Sequence, residues 1–176
     1  MDNFNSYQQA ILSGNMSELE QVLIAGGKIL WVGNDNILHY YVQHSSNFSA
    51  SPFDVIKLMQ KHNVDINHQN KDGITPLHYL AISNYGITLA KVLIENGALI
   101  DITDNNGNTP LWRAVMNYRG EQSKLELIKL LCEKGANPDL ENFSGNSPKK
   151  MVLRRHQNTV LTGKNKEWDL QPFLNW

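Results

Sequence analysis

Gly73-Ile74-Thr75-Pro76-Leu77-His78 recurs as Gly107-Asn108-Thr109-Pro110-Leu111-Trp112, and again, altered, as Gly145-Asn146-Ser147-Pro148-Lys149-Lys150. A fainter copy, Asn36-Ile37-Leu38-His39, precedes them. With the Leu of each copy as the mark, the steps are 39 and 34 residues, then 38 to Lys149. Self-similarity at this period predicts stacked helical hairpins, each covering its neighbour, instead of one central core. Each residue type has a local role. Gly73 and Gly107 follow the turn-forming pairs Lys71-Asp72 and Asn105-Asn106, where a positive φ is cheap only for glycine. Thr75 and Thr109 suit N-caps, and Pro76 and Pro110 suit the first helical position, where a missing N–H costs nothing. Leu77 and Leu111 then begin a buried face.

A second helix follows in each unit, read from apolar spacing: Leu19, Val22, Leu23; Val55, Ile56, Leu58, Met59; Leu89, Val92, Leu93, Ile94; and Leu127, Ile128, Leu130, Leu131. Each run ends in a residue suited to the left-handed position past a helix, namely Gly26, Asn63, Gly97 and Gly135. From the last three of these to the next Leu position is 14 residues each time. That constancy marks a fixed connecting loop.

The two Thr-Pro-Leu motifs, Leu-His at 38–39 and 77–78, and the Gly97-Ala98 and Gly135-Ala136 pairs resemble ankyrin repeats. The resemblance implies an all-α solenoid of about five helix-turn-helix units with β-hairpin fingers, degenerate at both ends. The units run over about 4–30, 31–66, 67–100, 101–138 and 139–160, with residues 161–176 a C-terminal capping tail. It also implies that His39 and His78 brace neighbouring fingers. The longer steps place extra residues between the two helices of a unit, at Ser45–Pro52 and Tyr118–Ser123. Added loop length there is thermodynamically cheap and a common place for functional decoration. The first finger, Gly26 to Leu38, is two residues shorter than the others and carries Ile29-Leu30-Trp31-Val32.

Composition fits one folded domain of 176 residues, 41% apolar and 19% charged. No apolar run reaches the roughly 18 residues of a bilayer span, and no basic n-region with an apolar h-region opens the chain. A cytoplasmic protein with a reduced, buried Cys132 is expected. Residues 1–70 hold three Lys/Arg against six Asp/Glu, whereas 145–176 hold six against two. The net charge of −1 is far from the basic footprint of a nucleic-acid binder.

Chemistry-bearing patterns are sparse. The six histidines show no H-E-x-x-H or Cys/His zinc spacing. Gly26-Gly27-Lys28 lacks both the upstream Gly and the Ser/Thr of a phosphate loop, and no G-x-S-x-G occurs. No enzyme activity, cofactor or metal is expected. Lys149, Lys150, Arg154, Arg155 and His156 read as a polar face on a capping helix, with an anionic partner as the alternative. Trp168, Leu170, Phe173, Leu174 and Trp176 read as apolar residues that seal the last repeat or engage a partner.

By the same resemblance, recognition uses finger tips and the exposed side of each first helix, which line a concave groove. The tips map to Trp31, Val32, Lys71, Asp72, Asn105, Asn106 and Phe143, with Ile74 and Asn108 after the motif glycines. The first helices add Gln43, His44, Ile82, Met116, Asn117, Arg154 and Arg155. The chain is similar to compact, Asn- and Ile-rich bacterial ankyrin proteins. That similarity implies a non-enzymatic module, monomeric when free, that binds and inhibits one protein partner, such as an immunity protein neutralising a toxin enzyme. An effector or adaptor for host or cytosolic signalling proteins is the alternative.

Overall fold

The computed structural model describes residues 3–26, 33–45, 50–83, 86–162 and 170. Within them lie nine helices: α1 (Asn3–Ser13), α2 (Met16–Gly26), α3 (Ile37–His44), α4 (Pro52–Lys61), α5 (Pro76–Ile82), α6 (Ile87–Glu95), α7 (Pro110–Asn117), α8 (Gln122–Glu133) and α9 (Pro148–Thr162). They form two layers. Helices α1, α3, α5, α7 and α9 touch one after another, and α2, α4, α6 and α8 do the same. Each unit therefore covers the apolar face of the one before it, as a 34-to-39-residue recurrence requires.

The helices begin where the motif places them. Thr75 and Thr109 hold extended φ/ψ and accept the backbone N–H of His78 and Trp112, with Pro76 and Pro110 at the first helical turn. Asn36 and Ser147 fill the same role for α3 and α9, accepting from His39 and Lys150. Such caps stabilise by about 1 kcal/mol each. Asn63, Gly97 and Gly135 have φ of 58°, 98° and 91°. The N–H groups of Val64, Ala98 and Ala136 then reach back to Met59, Leu93 and Leu131 carbonyls, closing Schellman turns. Gly26 departs from this pattern: it is the last helical residue of α2, and residues 27–32 that follow it lie outside the described ones.

Leu38, Leu77 and Leu111 are each 1% exposed or less and lie in one continuous apolar core with Leu19, Ile56, Leu93, Ile128 and Leu131. In the last unit Val152 takes the buried place, at 0% exposure. Lys149, where the other units have Leu, turns its ammonium to Asp139 at 3.5 Å. The expected β-hairpin fingers are turns, with no β-strand among the described residues. One backbone bond joins each finger to the next, too few for a ladder, and side-chain amides and two helix histidines add further links. The capping tail, 161–176, falls largely outside the described residues; Leu170 is fully buried in the core. The loop residues 46–49, and Trp31 and Val32, also lie outside them.

Candidate functional site at the finger edge

Three fingers are built on an Asn or Asp three residues before a glycine. Asn70 Oδ1 accepts the N–H groups of Asp72 (2.9 Å) and Ile74 (3.0 Å). Asp104 Oδ1 accepts from Asn106 (2.8 Å) and Asn108 (3.0 Å), and Asn142 Oδ1 from Ser144 (3.1 Å) and Asn146 (3.0 Å). These Asx turns hold the next two residues outward and bring the chain to positive φ at Gly73 (74°), Gly107 (77°) and Gly145 (70°). In the first finger Asn34, φ 65°, takes the glycine's place. Asparagine tolerates the left-handed region better than other residues with a side chain.

The fingers are then tied in series. Lys71 N–H donates to the Gly33 carbonyl (2.8 Å), Asn105 N–H to Asp72 (3.1 Å), and Phe143 N–H to Asn106 (3.0 Å). A second tie comes from the helices beneath. His39 Nε2 meets the Ile74 carbonyl at 2.9 Å and His78 Nε2 meets the Asn108 carbonyl at 3.0 Å. A carbonyl can only accept, so Nε2 carries the proton and Nδ1 is left to accept the Asn36 or Thr75 N–H. Both imidazoles are completely buried. Burial pushes the His78 pKa down to about 4, against a smaller upward pull from its bond to Asn108. Burial likewise lowers that of His39. Each histidine is a neutral structural brace. At the equivalent place Trp112 leaves its buried indole N–H without a hydrogen-bond partner among the described residues, so the last finger lacks this tie.

Two charged groups stiffen the array. Asp104, 3% exposed, receives the Arg113 guanidinium through Nε at 2.8 Å and through Nη2. Burial alone raises the Asp104 pKa, but the Asn108 N–H and Arg113 outweigh it and the net shift is downward. In the preceding unit Tyr79 stands where Arg113 does, and Asp35 joins it to the Asn70 side-chain amide. Lys124, 1% exposed on α8, donates to the Ala81 and Ser83 carbonyls at the end of α5, and burial pulls its pKa down to about 8.

A family model of three ankyrin repeat copies matches residues 38–142. The chain belongs to the ankyrin repeat family. It is 32% identical over 62 residues to the putative ankyrin repeat protein RC0502 of Rickettsia conorii, covering 35% of this chain and 89% of that protein. To the putative ankyrin repeat protein FPV230 of Fowlpox virus it is 33% identical over 75 residues, 43% of this chain and 39% of the relative. To alpha-latrocrustotoxin-Lt1a of Latrodectus tredecimguttatus it is 36% identical over 76 residues, 43% of this chain but 5% of that protein. The chain thus spans a minor part of the larger relatives. Ankyrin repeats are a protein-interaction scaffold, and two of these three relatives are named for them.

On this ankyrin scaffold the residues chosen from sequence separate into two groups. Lys71, Asp72, Asn105, Asn106 and Phe143 are exposed at the tips of three successive fingers, and Phe143 is 82% exposed. Gln43, Ile82, Asn117 and Arg154 are exposed along the first-helix layer, with Met116 half-buried. Ile74 and Asn108 are corrections: both are buried, because the residue after the glycine turns inward to receive the histidine brace. Two more residues are engaged internally. His44 stacks on Tyr40 at 4.0 Å, and the half-buried Arg155 guanidinium donates to the Val115 and Met116 carbonyls at the end of α7. Lys150 is likewise paired, with Glu141 at 2.5 Å, so much of the basic run is occupied within the protein. Asp104 reads from sequence as a turn or cap residue at a finger, but the anchors Asn70 and Asn142 and the buried Lys124 were not singled out. The Asn/Asp-x-x-Gly spacing in three fingers was the available signal for the anchors.

Among the described residues no His, Cys, Asp or Glu group of three could hold a metal ion. Cys132 is half-buried, and burial raises its thiol pKa to about 11, which disfavours the nucleophilic thiolate. Within the same residues no helix is long and apolar enough to cross a membrane.

Proposed function

We propose that the chain is a single-partner binding and inhibitory module whose contact surface is the row of finger tips, extended by the exposed positions of the first-helix layer. One observation carries this reading. Asp72, Asn106 and Phe143 project from three adjacent turns, each held by its own Asx hydrogen bonds, and no scaffold hydrogen bond uses their side chains among the described residues. Polar groups with hydrogen-bonding capacity to spare, next to an exposed aromatic on a rigid frame, match the composition of binding hot spots. Rigidity lowers the ordering cost of association. The finer assignment, an immunity protein occluding a toxin enzyme from a cytoplasmic location, is supported by the resemblance to compact bacterial ankyrin proteins and is the partner class to test first.

The experiment is co-purification of the tagged full chain with a candidate toxin encoded beside it, in parallel with an Asp72→Arg/Asn106→Arg/Phe143→Ala variant. A one-to-one complex and protection of toxin-expressing cells, both lost in the variant, are expected. A complex that survives the three changes unaltered rules out the finger row as the contact surface.

A further inference from the structure

The finger array has an open end built like its occupied positions. In each tie the acceptor is the second tip residue of one finger and the donor is the first tip residue of the next: Gly33 to Lys71, Asp72 to Asn105, Asn106 to Phe143. The donor residue also covers the backbone beside that acceptor. A Cβ on Gly73 would lie 2.6 Å from Asn105 N, and one on Gly107 would lie 2.9 Å from both the Phe143 ring and its N. Gly73 and Gly107 are accordingly buried. The last finger repeats the arrangement with no described residue on it. Gly145 is exposed, and among the described residues a Cβ there would come within 4 Å only of Glu141, from its own finger. The Ser144 carbonyl, in the place of Asp72 and Asn106, accepts only the Asn146 side-chain amide, at 3.4 Å, among the described residues.

We propose that this edge, Phe143-Ser144-Gly145, is a seat for a turn or extended segment of the protein partner, which donates one backbone N–H to the Ser144 carbonyl and lays a side chain over Gly145 beside the Phe143 ring. This deepens the finger-row reading and rests on it. The occupants of the internal seats show what fits. Lys71, Asn105 and Phe143 share no side-chain chemistry, so the seat reads backbone, as strand addition at a sheet edge does. Specificity then comes from the exposed Phe143 ring and from Glu141, whose carboxylate lies 3.7 Å from a Cβ on Gly145; Lys150 already neutralises it, so it offers a hydrogen-bond acceptor and no net charge. A second copy of the chain is a poorer occupant. Its fingers at Lys71, Asn105 and Phe143 already spend the required N–H internally.

The probe is a displayed library of random peptides selected on the full chain, with enriched peptides synthesised and titrated by fluorescence polarisation. Gly145→Asn fills the seat with a residue the first finger already carries at the same positive φ, at Asn34. We expect about a tenfold loss of affinity from Gly145→Asn, a similar loss from Phe143→Ala, and another from N-methylation of a single peptide amide. The N-methyl scan leaves the protein unaltered, so it holds even if a variant folds poorly. Ile24→Ser/Phe53→Ser, on the second-helix layer away from the finger row, should change affinity little. The proposal is overturned if no peptide is enriched, or if affinity is indifferent to both Gly145→Asn and N-methylation. Loss of binding only with Asp72→Arg/Asn106→Arg overturns the seat while leaving the finger-row reading intact. Self-association abolished by Gly145→Asn assigns the seat to a second copy. A tenfold gain on removing residues 171–176, with the buried Leu170 kept, assigns it to the chain's own end. Either of these results overturns the proposal as well.

Discussion

The braces make stability depend on pH in a way that can be worked from one side chain. His78 is held neutral by burial, with its pKa lowered from an ordinary 6.5 to about 4. In the unfolded chain the same imidazole takes up a proton as pH drops below about 6.5, while the folded protein resists it. The unfolded state binds more protons in this window, so stability rises with pH and is lost as pH falls from about 6.5 through about 4. At about 1.4 kcal/mol per pKa unit, the two-state linkage gives a loss of about 2 kcal/mol between pH 7 and pH 5 from His78 alone. His39, shifted in the same direction, adds to it. Buried carboxylates contribute little in this interval, because the Asp104 pKa lies below its ordinary 3.8 and the group stays ionised throughout. His78→Gln keeps a neutral donor for the Asn108 carbonyl and removes the titrating group. Urea unfolding followed by circular dichroism at pH 5, 6 and 7 should show the variant less stable at pH 7 by about 1–3 kcal/mol, with a markedly flatter pH dependence. If the wild-type and variant profiles run parallel, the neutral-brace argument is wrong.

Three further outcomes are expected. Asp104→Ala removes one partner of the Asp104–Arg113 pair and should cost about 3 kcal/mol in urea unfolding; Asp104→Asn, which keeps the Asx turn, should cost clearly less. Trp112→His restores the missing brace toward the Asn146 carbonyl, and hydrogen exchange at residues 142–150 should slow by about fivefold, corresponding to a bond of about 1 kcal/mol; unchanged exchange would show that the indole already secures this finger. Gly107→Ala places a Cβ 2.9 Å from Phe143 at φ 77° and should destabilise by about 1–3 kcal/mol, whereas Gly145→Ala, strained but uncrowded, should cost less; equal costs would mean that packing against Phe143 contributes nothing.

The scaffold was legible because its determinants are local. Thr75-Pro76 and Thr109-Pro110 cap and start helices through their own backbone neighbours, and Asn63, Gly97 and Gly135 end helices by a left-handed residue that any Schellman turn demands. What sequence did not reveal depends on partners about thirty or more residues away. Ile74 and Asn108 look like tip residues, yet their carbonyls are targets of histidines 35 and 30 residues earlier, which turns them inward. Arg155 reads as surface charge in the sequence, yet its guanidinium donates to α7 carbonyls 39 and 40 residues back, and Lys124 gives no local sign that it closes the end of α5. The described finger tips at 71–72, 105–106 and 143 are exposed because the Asx turn is encoded within five residues, from the anchor to the residue after the glycine. Which partner they meet is not encoded in those turn rules, since the same geometry carries Lys71, Asn105 and Phe143 alike.

The most direct test compares two small sets of changes in one titration of the full chain with its purified partner. Asp72→Arg/Asn106→Arg/Phe143→Ala alters the finger row, and Ile24→Ser/Phe53→Ser alters exposed apolar residues of the second-helix layer. Calorimetry should show at least a hundredfold weaker binding for the first set and an unchanged affinity for the second. The reverse pattern, binding intact with altered finger tips and lost with the second-helix changes, would contradict the finger row as the recognition surface.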